Sequence, residues 1–166
     1  QGETPVGIYM PKPDLPALSR CKPEDIAKLA ELRGLSVPGV KVAAESFRRV
    51  AICQWPQWRS ERTGQWRMGD DAARSWVVLD ESRWVAQFRR LDGACYEMRR
   101  KGQDEPNLVK CWTAGSPTWP LGAEEMGRRS KVLLVEGGAD MLAAYHFLHG
   151  FELLGELRVR RQHDLL

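Results

Sequence analysis

The stretch that most constrains the fold is Lys131-Val132-Leu133-Leu134-Val135-Glu136-Gly137-Gly138-Ala139-Asp140-Met141-Leu142-Ala143-Ala144-Tyr145-His146-Phe147-Leu148. Its first half, Val132 to Val135, is a short apolar run of the kind that forms a strand buried on both faces. Its second half, Ala139 to Leu148, carries apolar residues at helical spacing. A strand ending in Glu136, a turn through Gly137 and Gly138, and a helix opening with Asp140 bring two carboxylates to one edge of a sheet. Such a pair suits a hard cation such as Mg²⁺, which takes one or two carboxylates and keeps waters for substrate phosphates. The plainer alternative leaves Glu136 to end the strand and Asp140 to face the dipole of the first helical turn.

With 166 residues the chain can build one substantial domain or two small lobes that share a core. Its 43% apolar and 28% charged residues are ordinary for a soluble globular protein. No stretch nears the roughly 20 apolar residues of a membrane span, so no membrane partner is expected. Cys21, Cys53, Cys95 and Cys111 are far apart and form no Cys-x-x-Cys pair. That spacing argues against a zinc ribbon and for a reducing, cytoplasmic setting. The start, Gln1-Gly2-Glu3-Thr4, has neither an initiator Met nor a signal pattern, and reads as an excised piece.

The net charge is only +3, yet the cations cluster at Arg48-Arg49, Arg89-Arg90, Arg99-Arg100-Lys101, Arg128-Arg129 with Lys131, and Arg158, Arg160, Arg161. Together they can form a basic face that neutralises phosphates, whereas any single pair reads equally as solvated surface. His146 and His149 are three apart and can meet one ion, although helix-end cations are the simpler reading.

In order, residues 1–20 hold Pro5, Pro11, Pro13 and Pro16 and read as an extended linker or arm. Residues 21–125 begin with a helix opened by Pro23 and stopped at Gly34, followed by a short helix capped by Ser36. The two helices are either a packing unit or a DNA-reading helix-turn-helix. Strand character follows in Val50 to Trp55, a loop with Pro56, a Thr63-Gly64 turn, Gln65 to Met68, and Ser75 to Asp80. After a tight Glu81-Ser82 connection the chain returns through Arg83 to Arg90. Asp92-Gly93 then reads as a hairpin turn into Ala94 to Met98. These segments predict a curved antiparallel meander. The seven tryptophans either fill its core or offer stacking platforms to bases. The short Leu108 to Trp112 segment and the Pro117 to Gly122 stretch lead to an α/β unit over 126–166. The fold class is therefore α+β: short N-terminal helices, a curved antiparallel sheet, then the start of an α/β, Rossmann-like unit.

The pattern Leu133-Leu134-Val135-Glu136-Gly137-x-x-Asp140-x-Leu142 resembles the first signature of the Toprim domain of bacterial-type primases, type IA and II topoisomerases and some nucleases. A longer resemblance runs from the Trp76 to Asp80 strand through Ala86-Gln87-Phe88-Arg89-Arg90 and Asp92-Gly93, past a basic loop and Leu121-Gly122, into that signature. Covering roughly Trp76 to Leu148, it is similar to the basic subdomain that precedes Toprim in primases, most closely those of phage helicase–primases. The resemblance implies a nucleotidyltransferase of DNA replication that makes RNA primers. Glu136 is then catalytic and a metal ligand, Asp140 supports the metal, and the cofactor is Mg²⁺ or Mn²⁺. Arg90, with Arg89 beside it, faces template and nucleotide, and Arg99, Arg100, Lys101, Arg128, Arg129 and Lys131 extend the patch. The implied partners are single-stranded DNA, nucleoside triphosphates and a replicative helicase.

The chain departs from this pattern in two ways. No Asp-x-Asp follows Asp140, with Asp164 standing alone, and no cysteine quartet lies upstream. It reads as the middle of a primase cut inside its Toprim domain, or a degenerate relative, inactive by itself. Three other readings remain: a non-catalytic module for single-stranded nucleic acid, a Toprim nuclease or topoisomerase, and an unrelated small-molecule α/β enzyme.

Overall fold

In the computed structural model, residues 13–80, 83, 85–98, 104–115, 121 and 133–150 are described. The first helix, α1 (Pro23–Arg33), starts at a proline whose missing N–H costs nothing there. Asp25 Oδ2 accepts the Lys22 N–H at 2.9 Å and closes the first turn. Gly34, at φ 62°, ends the helix in the left-handed conformation that a Cβ would disfavour. The helix buries Ile26, Leu29 and Ala30. Ser36 Oγ accepts from the Gly39 N–H and caps α2 (Val37–Lys41), which runs on into a single π-helical turn, Val42–Ser46.

The main sheet is antiparallel, in the order β1 (Val50–Arg59), β2 (Trp66–Leu79), β3 (Val85–Arg90), β6 (Trp112–Gly115). Side chains alternate between its faces. Val50, Ile52, Trp76 and Val78 meet the helices, in one core with Ile26, Leu29, Val40 and Leu142. On the opposite face Cys53, Trp55, Val77, Leu79, Ala86 and Phe88 form a second core with Tyr96. Residues 13–20 run extended beside β1. Ser19 and Ile52 exchange backbone hydrogen bonds of 2.7 and 2.8 Å, and Leu15 and Leu18 pack on the second core.

The strands differ from the sequence expectation in three places. Pro56 does not end a strand, because β1 continues through it to Arg59. The Gln65 to Met68 and Ser75 to Asp80 segments are joined in one long β2. Trp55 pairs with Ala73 but Gln57 with Met68, so β2 sets residues 69–72 against Pro56 alone. Proline has no N–H to donate to the ladder, and the partner strand bulges where that bond is missing. Finally, the Asp92-Gly93 turn joins no hairpin. β3 pairs with β2 and β6, while β4 (Tyr96–Met98) leaves the sheet and pairs with β5 (Asn107–Val109).

The last described element is α3 (Gly138–Gly150), which packs on α2 and β2. A Cβ on Gly39 of α2 would come 2.7 Å from the His146 Cα, so the two helices meet backbone to backbone. His146 Nδ1 accepts the Ser36 N–H at 3.1 Å and lies 2.8 Å from Ser36 Oγ. α2 thus packs on α3 through its buried Gly39 and Val40, while Val37, Pro38 and Lys41 face solvent, and the His146 ring is engaged by the Ser36 cap. The expected strand before α3 is not formed over 133–135. Leu133 and Leu134 are 62% and 80% exposed, and no described strand pairs with them. An apolar run becomes a buried strand only when neighbours take its backbone groups and cover both faces.

The fold is thus α+β, three helices and a curled antiparallel sheet, and no described helix is long and apolar enough to cross a membrane.

Candidate functional site

The acidic turn is held to the sheet by its glycines. Gly138 donates its N–H to Gln87 Oε1 at 2.7 Å, and Met141 N–H closes the first helical turn on Gly137 O at 2.9 Å. A Cβ on Gly138 would lie 2.9 Å from the Val78 Cβ, so only glycine lets α3 begin directly on β2 and β3. Glu136 lies in the bend before the helix, Asp140 in its first turn, and both are exposed. Among the described residues no third His, Cys, Asp or Glu joins them in a metal cluster. Glu136 and Asp140 are oxygen donors, the ligand type that a hydrated Mg²⁺ takes from protein.

Sequence reasoning did not single out Gln87. Its trace was a polar residue at a position of β3 whose register partner, Val78, is core. Burying an amide there becomes favourable because its oxygen takes a helix N-terminal N–H, one of the donors the helix itself cannot satisfy.

The arginine pair of β3 is split by the pleat. Arg89 pairs with Trp76 and shares the helix-side face with Gln87, whereas Arg90 pairs with Ser75 on the opposite face. Adjacent residues of a strand cannot present one patch. Arg90 is also engaged: its Nε and one terminal nitrogen reach Asp92 at 2.9 and 2.5 Å, and the other terminal nitrogen reaches Cys95 O at 3.5 Å. That fork steers the chain out of the sheet after β3. Arg49 is only 1% exposed, so the Arg48-Arg49 pair is not a surface cluster either. Arg99, Arg100, Lys101, Arg128, Arg129 and Lys131 lie outside the described residues.

The Arg90 fork, as the largest cause, lowers the Asp92 carboxyl from 3.8 to about 2. A depressed acid stabilises the fold fully above its unfolded value, and the contribution fades as pH falls from 3.8 through about 2. Asp92 is 54% exposed. Screening therefore limits its worth to about 0.5–1 kcal/mol. Asp92→Asn should cost that much in urea unfolding at pH 7 and nothing near pH 2; an equal cost at both would refute the charge argument.

Four of the five described indoles are packed in the fold. Trp76 is 1% and Trp55 5% exposed. Trp55 stacks on Phe88 with centroids 4.4 Å apart, and Trp66 and Trp112 tilt against it. Trp84 and Trp119 lie outside the described residues. Trp58 differs, being 51% exposed. It lines an open cleft of about 790 Å³ beside Pro56, Gln57, Asp70, Arg90 and Glu97, where β2 bulges. Burial pushes the Cys21 and Cys53 thiols up to about 12, which leaves both protonated and unsuited to metal binding or nucleophilic attack at neutral pH.

Compared with protein-family models, curated proteins and solved structures, the chain matches none.

Proposed function

We propose that this chain is the nucleic-acid-binding part of a primase-type nucleotidyltransferase, whose complete parent makes RNA primers on single-stranded DNA. The observation that carries the reading is the Gln87–Gly138 hydrogen bond. It ties the Glu136 and Asp140 turn to β3, two residues from Arg89 on the same face of the sheet. Two carboxylates at a helix N-terminus, with an arginine two residues along the strand that holds the turn, are groups that suit a metal-bound triphosphate or a primer phosphate. Mg²⁺, when bound, would activate the attacking hydroxyl and neutralise the leaving pyrophosphate. Glu136 and Asp140 would hold it, and Arg89 would orient a phosphate from the side. Arg90 has no part in this arrangement, since Asp92 engages it. The unpaired segment 133–135 leaves room for the narrower reading, in which the chain binds single strands and performs no chemistry.

Fluorescence anisotropy of labelled single-stranded DNA separates these readings. The 166-residue chain should bind at low salt, lose affinity steeply as salt rises, and weaken about five- to tenfold on Arg89→Ala. Arg90→Ala should change little. Mg²⁺ should alter binding of a nucleoside triphosphate in the native chain and not in Glu136→Gln. Absence of any binding at low salt would overturn the proposal. Mg²⁺-independent binding untouched by Glu136→Gln would leave only the non-catalytic module.

A further inference from the structure

The described lining of the cleft around Trp58 has the wrong charge for nucleic acid. Among the described lining residues the one cation, Arg90, is already neutralised by Asp92 at 2.5 Å. Its two carboxylates, Asp70 and Glu97, are exposed and meet no ion-pair or hydrogen-bond partner among the described residues. A phosphate brought here would face two unpaired negative charges, and like-charge contact disfavours it.

The aromatic content of the cleft points to the opposite ligand. Trp55, three residues before Trp58 on β1, is buried and stacked on Phe88. Trp58 makes no ring contact with a described aromatic residue and leaves half of its surface to solvent. An exposed indole costs hydrophobic free energy unless something covers it. The ring face attracts cations, and a carboxylate completes the site by accepting their N–H groups. Pro56 puts the whole feature together, since the missing ladder bond opposite it makes β2 bulge and brings Gly69 and Asp70 to the cleft wall.

We propose that this cleft binds an arginine or lysine side chain of an extended segment from a partner protein, with Trp58 covering the cation and Asp70 and Glu97 pairing with it. A peptide source is favoured because Pro56, Gln57 and Trp58 belong to β1, whose outer side is bridged by Ser19 at Ile52 but pairs with no described strand at 56–58. An edge is where an extended segment adds its backbone, and alternate side chains then drop into adjoining pockets. The cleft volume of about 790 Å³ exceeds a single side chain and leaves room for that backbone. This site is separate from the Glu136 turn and does not depend on the primase reading.

The test is a ¹⁵N NMR titration of the 166-residue chain, following the Trp58 indole N–H, assigned through Trp58→Phe. The probe is the capped peptide Gly-Gly-Arg-Gly-Gly, with its citrulline analogue as the neutral isostere. The arginine peptide should shift the Trp58 signal saturably. Affinity should fall about tenfold or more for the citrulline peptide, and by a similar factor in the Asp70→Asn/Glu97→Gln double variant, because a charge-assisted contact is lost. Both substitutions are at exposed positions, and the unchanged dispersion of the remaining signals verifies the fold. Equal binding of the two peptides, or no Trp58 shift at millimolar arginine peptide, overturns the proposal. So does spermidine binding as tightly as the peptide, which would make the cleft a small-cation site. A Trp58 shift caused by single-stranded DNA and not by the peptide would assign the cleft to nucleic acid.

Discussion

Trp76→Ala lowers the stability of this fold by about 3–5 kcal/mol, the range for deleting a large buried aromatic. Trp76 is 1% exposed, paired with Ile52 on one side and Arg89 on the other, and it is the largest side chain of the core between sheet and helices. Removing it opens a cavity beneath α1 and α3 that backbone elements on both sides prevent from closing. Domains of this size hold roughly 5–15 kcal/mol, so the variant should unfold at a much lower urea concentration with an unchanged slope. Trp76→Phe provides the contrast. The Trp76 Nε1 is buried without a hydrogen-bond partner among the described residues. Phenylalanine removes that orphan donor together with part of the ring, and the two effects offset to leave a cost under about 1.5 kcal/mol. If Phe proved as damaging as Ala, packing around Trp76 would not be what holds the two layers together.

Arg74→Ala is the second large effect, at about 2–3 kcal/mol. The estimate lies below the 3–5 kcal/mol of a fully buried broken pair because Arg74 itself is 45% exposed. Asp25 is 1% exposed, with one oxygen on the Lys22 N–H and the other on Arg74 at 2.5 Å. Without Arg74 a buried carboxylate keeps only one backbone donor. The pair also joins α1 to β2, so its loss loosens the first helix from the sheet. Asp25→Asn keeps an oxygen for the cap and should cost about 1 kcal/mol. The double variant Arg74→Ala/Asp25→Asn should then be more stable than Arg74→Ala alone, since no charge is left unpaired. Strict additivity of the two single costs would show that the ion pair contributes nothing specific.

Much of the N-terminal half was legible in the sequence because its signals are local. Pro23, Gly34 and Ser36 act through their own backbone geometry and set the ends of α1 and α2 wherever the helices pack. The alternation in Val85–Arg90 likewise follows from the pleat alone. Pro56 misled for a physical reason. A proline ends a strand only when its N–H is needed, and here β2 accommodates the missing bond with a bulge at 69–72. Asp92-Gly93 misled because a hairpin-type turn constrains four residues, while the next partner of the chain is chosen by packing. Tyr96 finds its place by burying its ring and setting its hydroxyl 2.6 Å from Ser75 Oγ, which draws β4 across the sheet face and away from β3.

The candidate site divides along the same line. Sequence order alone determines that Glu136, Gly137, Gly138 and Asp140 form an acidic turn into a helix, because turn and helix-start positions within five residues can form without a distant partner. It also determines that Arg89 and Arg90 point apart, once β3 is a strand. Which of those arginines shares a face with the acidic turn, that Gln87 ties the turn to β3, and that Trp58 meets Asp70 and Glu97 in one cleft were decided only by tertiary structure. These are contacts across 51 residues or across a bulge, set by the packing of α3 on the sheet and by β-strand register, and no local propensity encodes either.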